Sequence, residues 1–123
     1  MTLFQTTTIR IDLEPSTIPW VKIFSQHPYK ELSDCDETTR NDLWQATLLC
    51  EKAMRTFYNP TKINIASFGN YVPHVHIHVM ARFAEDSHYP ESMWGVKQRE
   101  SQLVLPDIAL FCEELCKVLK GSL

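Results

Sequence analysis

The chain has 123 residues, 44% of them hydrophobic and 22% charged, the proportions of one folded domain, which excludes a disordered chain. Twelve Lys and Arg against fifteen Asp and Glu give a net charge of −3, which excludes the broad basic footprint needed to hold nucleic acid. No apolar run approaches the ~18–20 residues of a membrane span.

The N-terminal run Met1-Thr2-Leu3-Phe4-Gln5-Thr6-Thr7-Thr8 lacks the basic region and apolar run of a secretory leader. Residues 8–13 alternate apolar and polar and predict a strand. Glu14-Pro15-Ser16-Thr17 breaks it, and residues 18–24 predict a second strand, so 8–24 reads as a hairpin. Ser33 is placed as the N-cap of a helix, with Asp34, Asp36 and Glu37 in its first turn, where the helix dipole favours negative charge. Leu43, Thr47, Cys50, Met54 and Phe57 then recur at helical spacing, which makes one apolar face of a long helix ending near Asn59-Pro60. Residues 62–68 and 72–83 predict two more strands, separated by the turn signal Gly69-Asn70. Residues 84–104 read as irregular. Residues 106–120 predict a second helix, with Ile108, Phe111, Cys112, Leu115 and Leu119 on its apolar face and Gly121 ending it. The order β-β-α-β-β-α predicts an α+β fold with a mostly antiparallel sheet.

Cys35, Cys50, Cys112 and Cys116 form no C-x-x-C pair and fall in or beside the predicted helices. They read as small buried hydrophobes in a reducing compartment, which places the protein in the cytoplasm. With only Gly69, Gly95 and Gly121, a glycine-rich phosphate cradle is excluded.

Three of the five histidines fall in the fourth strand, as Pro73-His74-Val75-His76-Ile77-His78-Val79-Met80-Ala81-Arg82-Phe83. Alternation puts His74, His76 and His78 on one face, spaced by about 6.6–6.8 Å, and Val75, Ile77 and Val79 on the other. Three readings of such a row compete. The histidines are incidental on a polar sheet face; or two of them chelate zinc with a ligand from elsewhere; or imidazole acts as a nucleophile or acid–base group near neutral pH.

The heptapeptide His74-Val75-His76-Ile77-His78-Val79-Met80 resembles the H-φ-H-φ-H-φ-φ signature, with φ apolar, of the histidine triad (HIT) family of nucleotide hydrolases and transferases. Ile65-Ala66-Ser67-Phe68-Gly69-Asn70-Tyr71-Val72-Pro73, with Ala81-Arg82-Phe83 and Met93-Trp94-Gly95, is similar to a short bacterial branch labelled diadenosine tetraphosphate hydrolase-like. The resemblance implies a single HIT-like domain over 1–123, with 96–123 as C-terminal tail and helix. It implies an α+β fold with a mostly antiparallel sheet of about five strands, one long helix and a C-terminal helix. It also implies a homodimer joined through the long helix and a sheet edge.

By the same resemblance, His76 attacks the α-phosphate of a nucleotide and forms a nucleotidyl-histidine that water then hydrolyses. The backbone carbonyl of His74 holds the other nitrogen of His76, His78 contacts phosphate oxygens, and no metal cofactor takes part. The substrate is a diadenosine polyphosphate or a nucleoside phosphoramidate. Asn70, Asn64, Arg82 and Trp94 are candidates for substrate binding, and Trp20 and Phe24 lie on the hairpin that helps hold the base. Where many relatives carry Gln and then Ser or Thr, this chain has Asn70 and Tyr71. That departure leaves open a nucleotide-binding module with vestigial catalysis, beside zinc on the three histidines.

Overall fold

Alternating β-branched residues and two amphipathic helices need one shared apolar interface, and the computed structural model, which describes residues 1–123, supplies it. The elements are β1 (Thr2–Gln5), β2 (Ile9–Leu13), β3 (Trp20–Ser25), α1 (Glu37–Tyr58), β4 (Lys62–Ala66), β5 (His76–Arg82) and α2 (Ile108–Ser122). Five strands form one sheet in the order β1-β2-β3-β5-β4, and every neighbouring pair is antiparallel. This is an α+β architecture, five antiparallel strands with two helices.

Ile9, Ile11, Val21, Ile23, Ile77 and Val79 point to one side of the sheet and are buried there against Leu43, Cys50 and Met54 of α1. Each such side chain contributes about 1.5–3 kcal/mol relative to exposure. Phe111, Leu115 and Leu119 of α2 join the same core. Thr47 lies in the stripe without a polar penalty, because its hydroxyl donates to the Leu43 carbonyl at 2.7 Å. All four cysteines are free thiols, and no helix is long and apolar enough to cross a membrane.

Several boundaries differ from the sequence expectations. β1 was not expected; four residues followed by three threonines carry too little periodicity. It is held by pairing with β2 and by the Cys116 thiol, which donates to the Leu3 carbonyl at 3.3 Å. The N-cap of α1 is Asp36, whose side chain accepts from the Thr39 N–H at 2.8 Å, and not Ser33. Extended backbone at Cys35 separates α1 from a short 3₁₀ turn, Leu32–Asp34. α1 ends on Asn59 in the left-handed conformation, φ 48°. The N-cap of α2 is Asp107, and Gly121 lies inside its last turn instead of ending it. β4 stops at Ala66, and β5 begins only at His76.

Candidate active site

The second face of the sheet is not covered by a helix. Antiparallel register decides what stands on it. Arg10, Phe24 and His76 share one row, Asp12, Lys22, His78 and Ala66 the next, and Trp20, Met80 and Asn64 a third. His74 precedes β5, because residues 72–75 leave the ladder at Pro73. Its ring still packs edge-on against Phe24, with centroids 5.3 Å apart. Its Nε2–H donates to the Ser25 carbonyl at 2.6 Å.

His76 and His78 are fixed differently. Nδ1 of His76 lies 2.7 Å from the His74 carbonyl oxygen. A carbonyl only accepts, so this nitrogen carries the proton and Nε2 keeps its lone pair. The ring is stacked on Phe24 at 4.8 Å with an interplanar angle of 19°. The Ser67 hydroxyl donates to the His76 carbonyl at 2.7 Å, which ties the end of β4 to the start of β5. His78 is only 7% exposed. The Trp20 indole N–H donates to its Nδ1 at 3.0 Å, and Trp94 and Phe68 close round its ring at 4.9 and 6.2 Å. Burial, then His76 and Lys22, push the His78 pKa down to about 4.

A cavity of about 210 Å³ opens beside His76, lined by Lys30, Ser67, Phe68, Gly69 and His74 among others. Gly69 has φ +86°, a conformation a side chain would strain, and it turns the chain from Phe68 back towards the triad. The largest concavity, about 650 Å³, lies at the C-terminal end of α1 among Lys52, Arg55 and Asn59. It shares no residue with the triad and has no imidazole or thiol among its lining residues, so we place the candidate site at the histidines.

The remaining candidates separate. Trp94 is brought to the triad; it packs on Trp20 as well as on His78. Asn70 stands exposed on the loop before His74 and makes no hydrogen bond to the triad. Arg82, the other candidate on β5, faces the same side of the sheet as the triad and is buried at 1% exposure. Its guanidinium donates twice to Asp86, at 3.0 and 3.1 Å, once to the Glu91 carbonyl at 2.7 Å and once to Asn64 Oδ1 at 2.9 Å. Asn64 is thereby oriented with its Oδ1 committed to Arg82, one row from His78. Among His, Cys, Asp and Glu side chains, no group of three or more is placed to hold a metal ion.

A family model described as HIT domain matches residues 3–85, which carry β1 but for its first residue, every later element to β5, and the whole triad. The chain belongs to the HIT domain family. No curated protein matches it. Among solved structures, a histidine triad protein from Marinobacter aquaeolei VT8 superposes with a TM-score of 0.80 at 23% identity, over 98% of this chain and 89% of that one. The histidine triad protein blr8122 from Bradyrhizobium japonicum gives 0.75 at 24% identity, over 98% and 88%. Diadenosine triphosphate hydrolase from Plasmodium falciparum, in complex with cyclomarin A, gives 0.61 at 19% identity, over 98% and 74%. Identities this low carry the HIT fold and no more.

Sequence reasoning missed Phe68, Lys22 and Ser67 as neighbours of the HIT triad. Lys22 follows from the hairpin register once β3 is known to pair with β5 (Lys22 opposes His78). Phe68 and Ser67 were placed inside a strand. They reach the site because the strand ends before them.

Proposed function

We propose that this HIT domain is a nucleotide hydrolase or nucleotidyl transferase that works at an α-phosphate through a nucleotidyl-His76 intermediate. The observation that carries the reading is the 2.7 Å bond from His76 Nδ1–H to the His74 carbonyl, which leaves Nε2 as the free nucleophile. Nε2 attacks phosphorus, and the leaving group departs with the electrons of its bond. Water then adds to phosphorus, its proton passes to solvent, and the P–N bond breaks to return the lone pair to Nε2. The carbonyl stabilises the positive charge that the ring carries while phosphorylated. His78 Nε2–H, Lys22 and Lys30 are the donors for phosphate oxygens, and Trp94, Phe68 and Asn64 supply the walls. No step in this scheme calls for a metal.

The substrates that fit are diadenosine polyphosphates and nucleoside phosphoramidates. Within the family we place the chain with the short bacterial branch labelled diadenosine tetraphosphate hydrolase-like. The test is a panel containing a diadenosine polyphosphate and a purine phosphoramidate, with products separated by chromatography. Release of nucleoside monophosphate is the expected result. Tight binding of both without turnover would instead identify a nucleotide-binding module.

We further propose a homodimer, with four free thiols suited to the cytoplasm. β4 is an unpaired sheet edge, and Trp44, Leu48 and Ile65 are exposed apolar side chains on α1 and β4. Such a strip is covered by a second copy in an isologous pair. Gel filtration at micromolar concentration should give about twice the 14.3 kDa chain mass; elution as a monomer refutes the dimer.

A further inference from the structure

His78 faces a group that can only donate. The Trp20 indole N–H meets Nδ1 of His78 at 3.0 Å, and indole has no acceptor. An imidazolium carries protons on both nitrogens. Protonating Nδ1 would therefore set two N–H donors against each other, inside a ring of Trp20, Phe68 and Trp94. The charged neighbours act in the same sense. His76 on β5 and Lys22 on β3 both oppose a positive charge at His78, and only Glu14, 3.1 Å from Lys22, favours one. On the remaining sides, Ala66 of β4 and Trp94 bring no charge. Burial adds to these effects.

We propose that Trp20 is a positioning residue that fixes His78 as a neutral Nε2–H donor, and that this selects substrates whose leaving group departs as an oxyanion over those whose leaving group is an amine. The inference deepens the nucleotidyl-His76 reading and rests on it. In the first step, a bond forms from His76 Nε2 to phosphorus while the bond from phosphorus to the bridging atom breaks. If that atom is an anhydride oxygen, the leaving phosphate or nucleotide keeps the electron pair as a stable anion. One hydrogen bond from His78 then suffices. If the atom is a phosphoramidate nitrogen, the departing amine must also collect a proton. An imidazolium at position 78 would supply it. A neutral imidazole whose Nδ1 is already engaged by a donor does not. His74 is no substitute, because its Nε2–H is committed to the Ser25 carbonyl. The second step, attack by water and loss of its proton to solvent, is common to both substrates.

Trp20→Phe keeps the ring and removes the donor, and the wild-type protein supplies an independent readout that needs no turnover. Nitrogen-15 NMR of wild-type His78 should show a bare Nδ1 and a protonated Nε2, unchanged between about pH 5 and pH 8. In Trp20→Phe the same ring should titrate within that range. Kinetics then compare an adenylyl anhydride with an adenylyl phosphoramidate. Wild type should favour the anhydride in kcat/KM by at least about tenfold, and Trp20→Phe should shrink the ratio by about tenfold, through kcat more than KM. A wild-type His78 protonated on Nδ1 near neutral pH overturns the role of Trp20. Equal wild-type kcat/KM for the two substrates overturns the selectivity. Failure to turn over either one overturns the nucleotidyl-His76 reading and the selectivity with it, while the nitrogen shifts still decide the role of Trp20.

Discussion

His76→Ala should lower nucleotide turnover by about 10⁴-fold or more while leaving the fold and nucleotide binding in place. Its Nε2 is the one atom proposed to bond to phosphorus, so its loss removes the covalent route outright. Its neighbours are supported independently: Phe24 is packed by Arg10 at 4.5 Å, and the His74 carbonyl belongs to the backbone. The other two histidines should grade below it. His78→Ala removes a donor of the oxyanion-hole kind and should cost about 2–4 kcal/mol of transition-state stabilisation. His74→Ala should be mildest, since Ala retains the carbonyl that holds His76; the bond to Ser25 and the edge contact to Phe24 are what it loses. Measuring kcat for the three variants, with near-ultraviolet circular dichroism as the check on fold, decides the assignment. Equal losses at all three positions, restored by zinc after chelation of the wild type, would give the site to a metal.

The second large effect is on stability. Asp86→Ala should destabilise the domain by about 3–5 kcal/mol, because it strands the Arg82 guanidinium in the interior without its counter-charge. That is a large share of the roughly 5–15 kcal/mol available to a domain. Asp86 also accepts from the N–H groups of Phe83, His88 and Tyr89, so the variant unties the segment as well as the charge. Burial works against ionisation of this carboxyl, but the Arg82 guanidinium and the three N–H groups outweigh it and lower its pKa to about 2. The folded pKa lies below the unfolded one. The contribution is therefore complete above the ordinary carboxylate value of about 3.8 and is lost as pH falls towards about 2. Chemical denaturation of wild type and Asp86→Asn from neutral pH downwards should show the wild-type advantage shrinking across that window. An Asp86→Asn gap that stays constant with pH would contradict the ionised pair.

The parts of this fold that were legible in the sequence are those where one face is apolar over many residues. The stripe Leu43, Thr47, Cys50, Met54 sits on the buried side of α1, and Ile77 and Val79 fill the core below β5. The triad was legible for the same reason, since alternation alone puts His76 and His78 opposite those two residues. What escaped depends on contacts distant in the chain. Ser33 and Asp36 are both good cap residues; Asp36 takes the role because the chain is extended at Cys35, which is buried, and the helix begins only after it. The true state of Arg82 was hidden because its partner Asp86 lies in a segment without periodicity, which folds back and brings the Glu91 carbonyl onto the same guanidinium. The enclosure of His78 needed Trp94 and Phe68, which come from two segments outside the sheet.

β5 is flanked by strands on both sides, so the rows that hold His76 and His78 are set by main-chain pairing. Phe68, Asn70, Tyr71 and Trp94 are exposed, and all project from two connecting segments off that ladder. On the nucleotidyl-His76 proposal, substitution in those segments alters what is bound while the imidazoles stay where the ladder puts them. The coupling that remains runs through Arg82 and Asp86, which moor the segment carrying Trp94 to the end of β5.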